Sequence, residues 1–530
     1  MPLSSFSLEQ IIPLYIAAGL LFISMMLWPK QRTLGLLFLV LGAFGMSYFV
    51  CALDPFLMVW DEQYHAMVGK NMSTDFFTPM LYDGNPVPHD PHLWIENEIW
   101  LHKQPFFLWQ IALSIKIFGP SVMAVRLPSM ILFSILPFLI YRIGKIAINE
   151  NTGYLAGLLF SCSYFALGLS AGHFHTDHND LSFLFYLTAS FWAWFEYQNS
   201  NKKYWLILIG VFSGFAVLTK WLMGLLVYVI WFLTEFFLNK ENRWKIKTYI
   251  PLFGSELIAV LIFLPWQIYI LNQWPEQANY EFAYNSKHFF EPVEGHAGTI
   301  WYHFQEGADY MYGSGDGNPK NGFGWFDFLL TLGLISLLFK VEKRKQLSMI
   351  MSTVVFIYLF YSIAETKMPA FTVIAMPFLL LGAGTFLDTL FDRLKEKWKS
   401  VVLHHLLFIG FTGYILVNFL NIDRVEMHHS ENPRQKNPVR ESLVRNHKFV
   451  VQVREMNLDE NYLIFNTNMT VHGNIPIMFF TGLRAYDYLP KKEWIPELKS
   501  KNYKIAVMQN GDLPDYIKND PEILIIQPNE

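Results

Sequence analysis

The chain has 530 residues, 53% of them hydrophobic and only 16% charged, with a net charge of −4 and a positive mean hydropathy. A soluble chain carries about a quarter charged residues, so the composition excludes an ordinary soluble protein, and the net charge lacks the basic footprint of a nucleic-acid binder. The 48 Phe, 26 Tyr and 17 Trp suit a chain whose aromatic rings sit at membrane–water interfaces. Its two cysteines, Cys51 and Cys162, lie in apolar runs and say nothing about redox compartment.

Apolar segments near the roughly 17–25 residues needed to cross a bilayer predict about twelve spans, at 8–28, 33–53, 122–141, 152–172, 180–198, 204–219, 221–239, 248–271, 323–340, 346–364, 369–390 and 400–420. The stretch from Ile11 to Trp28 lacks a basic flank and a small-residue cleavage site, so it reads as a span and not as a cleavable signal. Lys and Arg recur in every second loop, from Lys30 and Arg32 through Arg142, Lys145, Lys202, Lys203 and Lys240 to Lys345 and Lys399. Such loops are cytoplasmic, which puts 54–121, 173–179, 272–322 and everything after 421 on the outer side.

Segment 54–121 interleaves Trp60, Trp94, Trp100 and Trp109 with acidic residues and histidines. It reads as an extended loop with short interfacial helices lying on the membrane. After the last span, a helical pattern (Val444, Phe449, Val450, Val453) precedes candidate strands at 462–465, 504–507 and 523–526, with helices near 474–481 and 491–500. The predicted fold is an all-α polytopic membrane unit, 1–420, followed by a small outer α/β domain, 421–530.

Three lysines fall at or near the outer ends of spans: Lys103 in His-Lys-Gln-Pro, Lys220 in Leu-Thr-Lys-Trp and Lys367 in Glu-Thr-Lys-Met-Pro. A lysine there is costly unless it snorkels or meets an anion. Any one of them alone reads equally well as a snorkelling side chain; three on one face fit a shared lipid phosphate. Carboxylates form a second group, Asp61-Glu62 and the run His173-Phe-His175-Thr-Asp177-His-Asn-Asp180. Together the groups suit sugar transfer from a phosphate carrier. A carboxylate takes the proton from an acceptor hydroxyl, and fixed positive charge stabilises the departing phosphate. Imidazoles and carboxylates can also build a divalent-metal site, but no compact spacing such as His-Glu-x-x-His is present. Interfacial or substrate-contacting histidines are the plainer reading.

The run from His102 to Trp109, with Phe118-Gly119 and Ala124-Val-Arg126-Leu-Pro-Ser129, resembles the Lys-Pro-Pro-Leu…Trp…Phe-Gly…Val-Arg-Leu-Pro-Ser block of the bacterial aminoarabinose (lipid A) transferases. These are C-type (GT-C) glycosyltransferases, as are the protein O-mannosyltransferases. Asp61-Glu62-x-Tyr64, Leu218-Thr-Lys220, Pro265-Trp266 and Ser362…Lys367-Met-Pro369 resemble further motifs of that family, in order along residues 55–380. The resemblance implies a GT-C fold in a bacterial inner membrane, an outer-facing site, a polyprenyl-phosphate sugar donor and an inverting transfer to a lipid A-like lipid, a glycan or a protein. It implies Asp61 as the catalytic carboxylate, with Glu62 beside it and Asp177 as a second acidic residue. Lys103 becomes a donor-phosphate contact with Lys220, Lys367 and Tyr64, while Asp180, His175 and Arg126 are further site candidates. The family's metal pair would correspond to His102 and His288. The chain departs from the family at His102, where an acid is usual, at Gln104 in place of Pro, and at Trp221 in place of Gly. Two rivals from other classes remain: a twelve-span secondary transporter, against which the crowding of ionisable residues in outer loops counts, and an outer receptor merely anchored by its spans.

Overall fold

The computed structural model describes residues 6–90, 93–174, 177–313, 325–340, 343–397, 400–429 and 438–529. The chain begins with two apolar helices, α1 (Leu8–Leu27) and α2 (Arg32–Cys51), packed on each other. Ser7 starts α1 with a capping box closed by Gln10. The first outer segment then carries α3 (Asp61–Met72) and α4 (Pro105–Phe118). The membrane unit continues with α5 (Val122–Ala147), α6 (Glu150–Ser161), α7 (Tyr164–Ser170), α8 (His178–Ser200), α9 (Tyr204–Lys220), α10 (Leu226–Leu238) and α11 (Ile250–Gln273). Outer helices α12 (Pro275–Phe290) and α13 (Glu306–Tyr312) precede α14 (Trp325–Leu338), α15 (Arg344–Ile363), α16 (Met376–Lys397) and α17 (Val401–Leu420).

Among the described residues, eight helical stretches are long and apolar enough to cross a membrane, and α6 with α7, bent by 58°, make a ninth. The twelve predicted segments are nevertheless all helical where described. The two counts differ for physical reasons. Helix α8 is buried along nearly its whole length, so protein, and not lipid, surrounds its polar residues. The stretch Tyr204–Leu238 counts once by length but breaks at Trp221, whose φ of 58° ends α9. Helix α14 is short, and the start of the predicted 323–340 span lies outside the described residues.

Helix α3 does not lie on the membrane surface as its loop suggested. Glu62 to Gly69 are all buried, because α4, α5 and α8 pack on some of them and the C-terminal domain covers others. After α18 (Ile422–His429) and α19 (Pro438–Glu455), that domain folds as a parallel sheet of β1 (Tyr462–Phe465), β2 (Arg484–Ala485), β3 (Lys504–Met508) and β4 (Ile523–Ile526), in the order β2-β1-β3-β4. Parallel neighbours need crossover connections, supplied by α20 (Asn474–Thr481), α21 (Trp494–Ser500) and α22 (Asp515–Lys518). Three strands and two helices stand where the sequence puts them; β2, two residues long, carries too little pattern to read. One apolar core runs from the first outer segment into this domain, joining Tyr64, Val68, Trp100 and Phe107 to Phe449, Leu463, Ile477 and Val507.

Close helix contacts in the membrane unit rest on small residues. A methyl group on Gly144 of α5 would stand 2.4 Å from the Cα of Gly153 on α6. Gly153→Leu is therefore expected to abolish the monodisperse, detergent-solubilised fraction in size-exclusion chromatography. Gly254→Leu, at a position with nothing within 4 Å of a new Cβ, leaves that fraction unchanged.

Candidate active site

The site grows from two adjacent carboxylates at the start of α3. Successive helical residues point about 100° apart, so Asp61 and Glu62 face different environments. Glu62 turns inward and is fully buried: Arg126 Nε and Nη2 donate to its two oxygens at 2.7 and 2.9 Å, His178 Nε2 lies 3.2 Å away, and the Met58 amide donates at 2.6 Å. Burial opposes ionisation of Glu62, but Arg126 and His178 hold its pKa below the ordinary value. Asp61 faces a cavity of about 670 Å³ where the segment after α2 meets the start of α8 and the end of α9. Its Oδ2 lies 3.7 Å from Lys103 Nζ, and both side chains are largely screened from solvent.

Lys103 sits just before α4, whose first residue, Pro105, fixes the turn into the helix. Burial disfavours its charge, yet Asp61, Glu294, Asp180 and Asp177 hold its pKa above the usual lysine value. A second ion pair lines the same cavity: Lys220, at the end of α9, donates to Asp180 in the first turn of α8. Its ammonium also lies 5.2 Å from the centre of the Phe371 ring. The remaining wall is mostly aromatic and aliphatic, with Trp60, Trp94, Trp221, Phe289 and Phe360.

Several predicted residues stand elsewhere. Lys367 is buried and donates to the carbonyls of Tyr361, Ser362 and Ala364, capping the C-terminal end of α15; it does not reach the cavity as a phosphate ligand. Tyr64 points away from the donor side, its hydroxyl sharing a hydrogen bond of 2.9 Å with His472 Nδ1 of the C-terminal domain. Arg126 and Glu62 neutralise each other out of reach of a substrate, so Glu62 holds the loop instead of acting as a catalytic carboxylate. Asp177 is buried at the start of α8 and pairs with His65 Nδ1 at 2.9 Å. His175 lies outside the described residues.

His102 and His288 both line the cavity. His102 stacks on Trp94 with centroids 4.4 Å apart and uses Nδ1 on Glu281 Oε2 at 3.2 Å. Burial drives the pKa of His102 well down, that of His288 down to about 4, and that of Glu281 up to about 7. The group of ligand atoms that comes together, within 4.8 Å of one another, is a different one: Asp61, His65 and Asp177. Two carboxylates and an imidazole suit a divalent cation, and His65 Nε2 is buried without a hydrogen-bond partner. These residues fit a metal, whereas His102 already spends one nitrogen on Glu281. Sequence reasoning passed over His65, although Asp61-x-x-x-His65 is the i, i+4 spacing that places two side chains on one helical face. Glu281 and Glu294 carried no such signal, since chain folding alone brings Glu294 to the cavity and Glu281 to His102.

Residues 102–269 match the family model of the dolichyl-phosphate-mannose-protein mannosyltransferases. Among curated relatives, an uncharacterized protein of Aquifex aeolicus is 28% identical over 62% of this chain and 60% of its own length. The undecaprenyl phosphate-alpha-4-amino-4-deoxy-L-arabinose arabinosyl transferase 1 of Pseudomonas fluorescens is 24% identical over 67% of this chain and 60% of that protein. The chain thus spans about 60% of the length of these relatives. The crystal structure of ArnT from Cupriavidus metallidurans in the apo state superposes with a TM-score of 0.62 at 13% identity, covering 91% of this chain and 87% of that one. The archaeal oligosaccharyltransferase AglB from Archaeoglobus fulgidus gives a TM-score of 0.54 at 12% identity over 87% of this chain and 65% of its own. The fold is that of the C-type membrane glycosyltransferases. Within this GT-C fold the aromatic cavity and its two ion pairs lie where α8 begins and α9 ends.

Two measurements check the arrangement. Arg126→Leu leaves Glu62 buried without its partner, which costs about 3–5 kcal/mol, so its melting temperature in detergent falls well below that of the wild type. Glu281, with its folded pKa raised to about 7 by burial, holds a proton that the unfolded chain has released above about 4.5. Its stabilising contribution is complete below about 4.5 and is lost as pH rises to about 7, on the order of 3 kcal/mol. Thermal melts across that window are expected to show the decline in the wild type and a shallower one in Glu281→Gln.

Proposed function

We propose that the chain is an inverting glycosyltransferase that moves a sugar from a polyprenyl-phosphate carrier to an acceptor at the outer face of the bacterial inner membrane. The observation that carries this reading is the Asp61 carboxylate 3.7 Å from the Lys103 ammonium on the wall of a cavity at the outer ends of the spans. The relatives named as undecaprenyl-phosphate-dependent arabinosyl transferases, and the ArnT structure described as bound to undecaprenyl phosphate, which superposes on 93% of this chain, support the donor class.

In the proposed reaction Asp61 removes the proton from an acceptor hydroxyl while its oxygen attacks the anomeric carbon. The bond from that carbon to the phosphate oxygen breaks, and the phosphate leaves with the electron pair. Lys103, assisted by Lys220, stabilises the charge that builds there; a phosphate leaving group needs no general acid. The apolar wall gives the prenyl chain its berth and keeps water from the reacting centre. Asp61, His65 and Asp177 would hold a divalent cation, which when bound adds positive charge beside the phosphate. The resemblance of the motifs to the aminoarabinose (lipid A) transferases favours a lipid A-like lipid as acceptor, with a glycan or a protein as the other outcomes.

A secondary transporter fits less well. Its site would lie near the membrane midplane, whereas the ion pairs here cluster at the outer ends of α8, α9 and the first outer segment. Mass spectrometry of envelope lipids and glycoconjugates from cells with and without the protein is expected to find one missing glycan mass, which names both sugar and acceptor. Asp61→Asn, at wild-type folded yield, is expected to reproduce that loss with turnover reduced at least a hundredfold. Wild-type product in that variant would sink the reading.

A further inference from the structure

The residue that leads into α3 has an unusual backbone shape and packs against a part of the chain some four hundred residues away. Trp60, directly before Asp61, has φ 66° and ψ −125°, a left-handed backbone that side-chain-bearing residues rarely adopt. Its indole lines the cavity and meets the His472 ring edge-on, with centroids 4.7 Å apart. Tyr64, one turn further along α3, also meets that imidazole edge-on, at 5.1 Å, and shares the 2.9 Å hydrogen bond with its Nδ1. His472 is therefore wedged between residues i and i+4 that flank Asp61.

The wedge itself is fixed. His472 has φ 56° in the turn before α20, and the Asp487 carboxylate accepts from the Asn474 amide and the Thr467 hydroxyl, both at 2.9 Å. The far end of α3 is tied to the same helix α20: Lys70 Nζ donates to the carbonyls of Met478 and Phe479 at 2.9 and 2.6 Å. Both ends of α3 thus bear on one short segment of the C-terminal domain.

We propose that His472 is a positioning residue for Asp61, so that the C-terminal domain completes the active site instead of merely capping it. Without the imidazole, the Trp60 turn relaxes towards an ordinary backbone and the carboxylate swings off the line to the acceptor hydroxyl. Lys103 and Lys220 stand on other elements and keep their places, so donor binding survives while the chemical step slows. The inference rests on the reading of Asp61 as the catalytic carboxylate.

The test uses the full-length chain with two readouts: the rate of glycan product formation per folded protein in membranes, and binding of undecaprenyl phosphate to purified protein. His472→Ala is expected to lower the rate at least tenfold with binding changed less than twofold. Tyr64→Phe, which removes only the hydroxyl, lowers it about threefold. His472→Asn, which keeps a polar partner for Tyr64, recovers most of the loss. Wild-type rates in both His472→Ala and Tyr64→Phe, with Asp61→Asn inactive, would overturn the inference and leave the Asp61 reading standing. Parallel loss of rate and binding in His472→Ala without recovery in His472→Asn would also overturn it, as a structural role alone. Full product in Asp61→Asn would remove the reading and the inference together.

Discussion

The arrangement of the site depends on the buried pair Arg126–Glu62. One guanidinium gathers the end of α2 and the chain after it, through the carbonyls of Cys51 at 2.7 Å, Asp54 at 3.2 Å and Phe56 at 3.0 Å, while also holding both oxygens of Glu62 on α3. His178 joins α8 to the same carboxylate. A buried ion pair repays its desolvation only when its donors and acceptors are well matched, and this one is bidentate with further hydrogen bonds on both partners. Gly172 is part of the fit: its φ of 66° and a Cβ that would fall 2.4 Å from the Glu62 carboxyl carbon leave room for no side chain. The end of α2 and the starts of α3, α5 and α8 are thereby registered to one point, and Asp61, the residue before Glu62, is aimed into the cavity by the helix geometry that buries its neighbour.

Much of this was legible in the sequence wherever a single physical rule dominated. Long apolar segments need no partner to be recognised. The strands at 462–465 and 523–526 are dense enough in buried aliphatic residues to be read alone. Lys103 and Lys220 were singled out as charges where charge is costly, Asp61 and Asp180 as the acidic group beside them, and chain folding brings all four to one cavity. The same argument failed for Lys367, because a lysine at a span end can meet its own helix's last carbonyls as well as a ligand, and sequence does not distinguish them. It failed for Tyr64 for a related reason: motif membership says that a side chain matters, not which way it points, and here it points to a domain hundreds of residues away. The first outer segment looked like a surface loop because its cover, the C-terminal domain, comes so much later in the chain. Glu281, contributed by α12, became visible only with its partner His102 in place.

The cavity keeps its cations paired: Lys103 with Asp61, and Lys220 with Asp180. In a low-dielectric pocket such pairs are strong, and they hold the ammonium groups in place while no anion is bound. In the proposed reaction a donor phosphate competes for Lys103 with more charge and more acceptor oxygens than one carboxylate offers. As it does so, Asp61 gives up its ammonium partner and is free to accept a proton. The base is thus released by the arrival of the leaving group it will work against. An unloaded site holds its carboxylate neutralised, and a loaded one presents it, which ties proton removal to the presence of donor without any separate moving part.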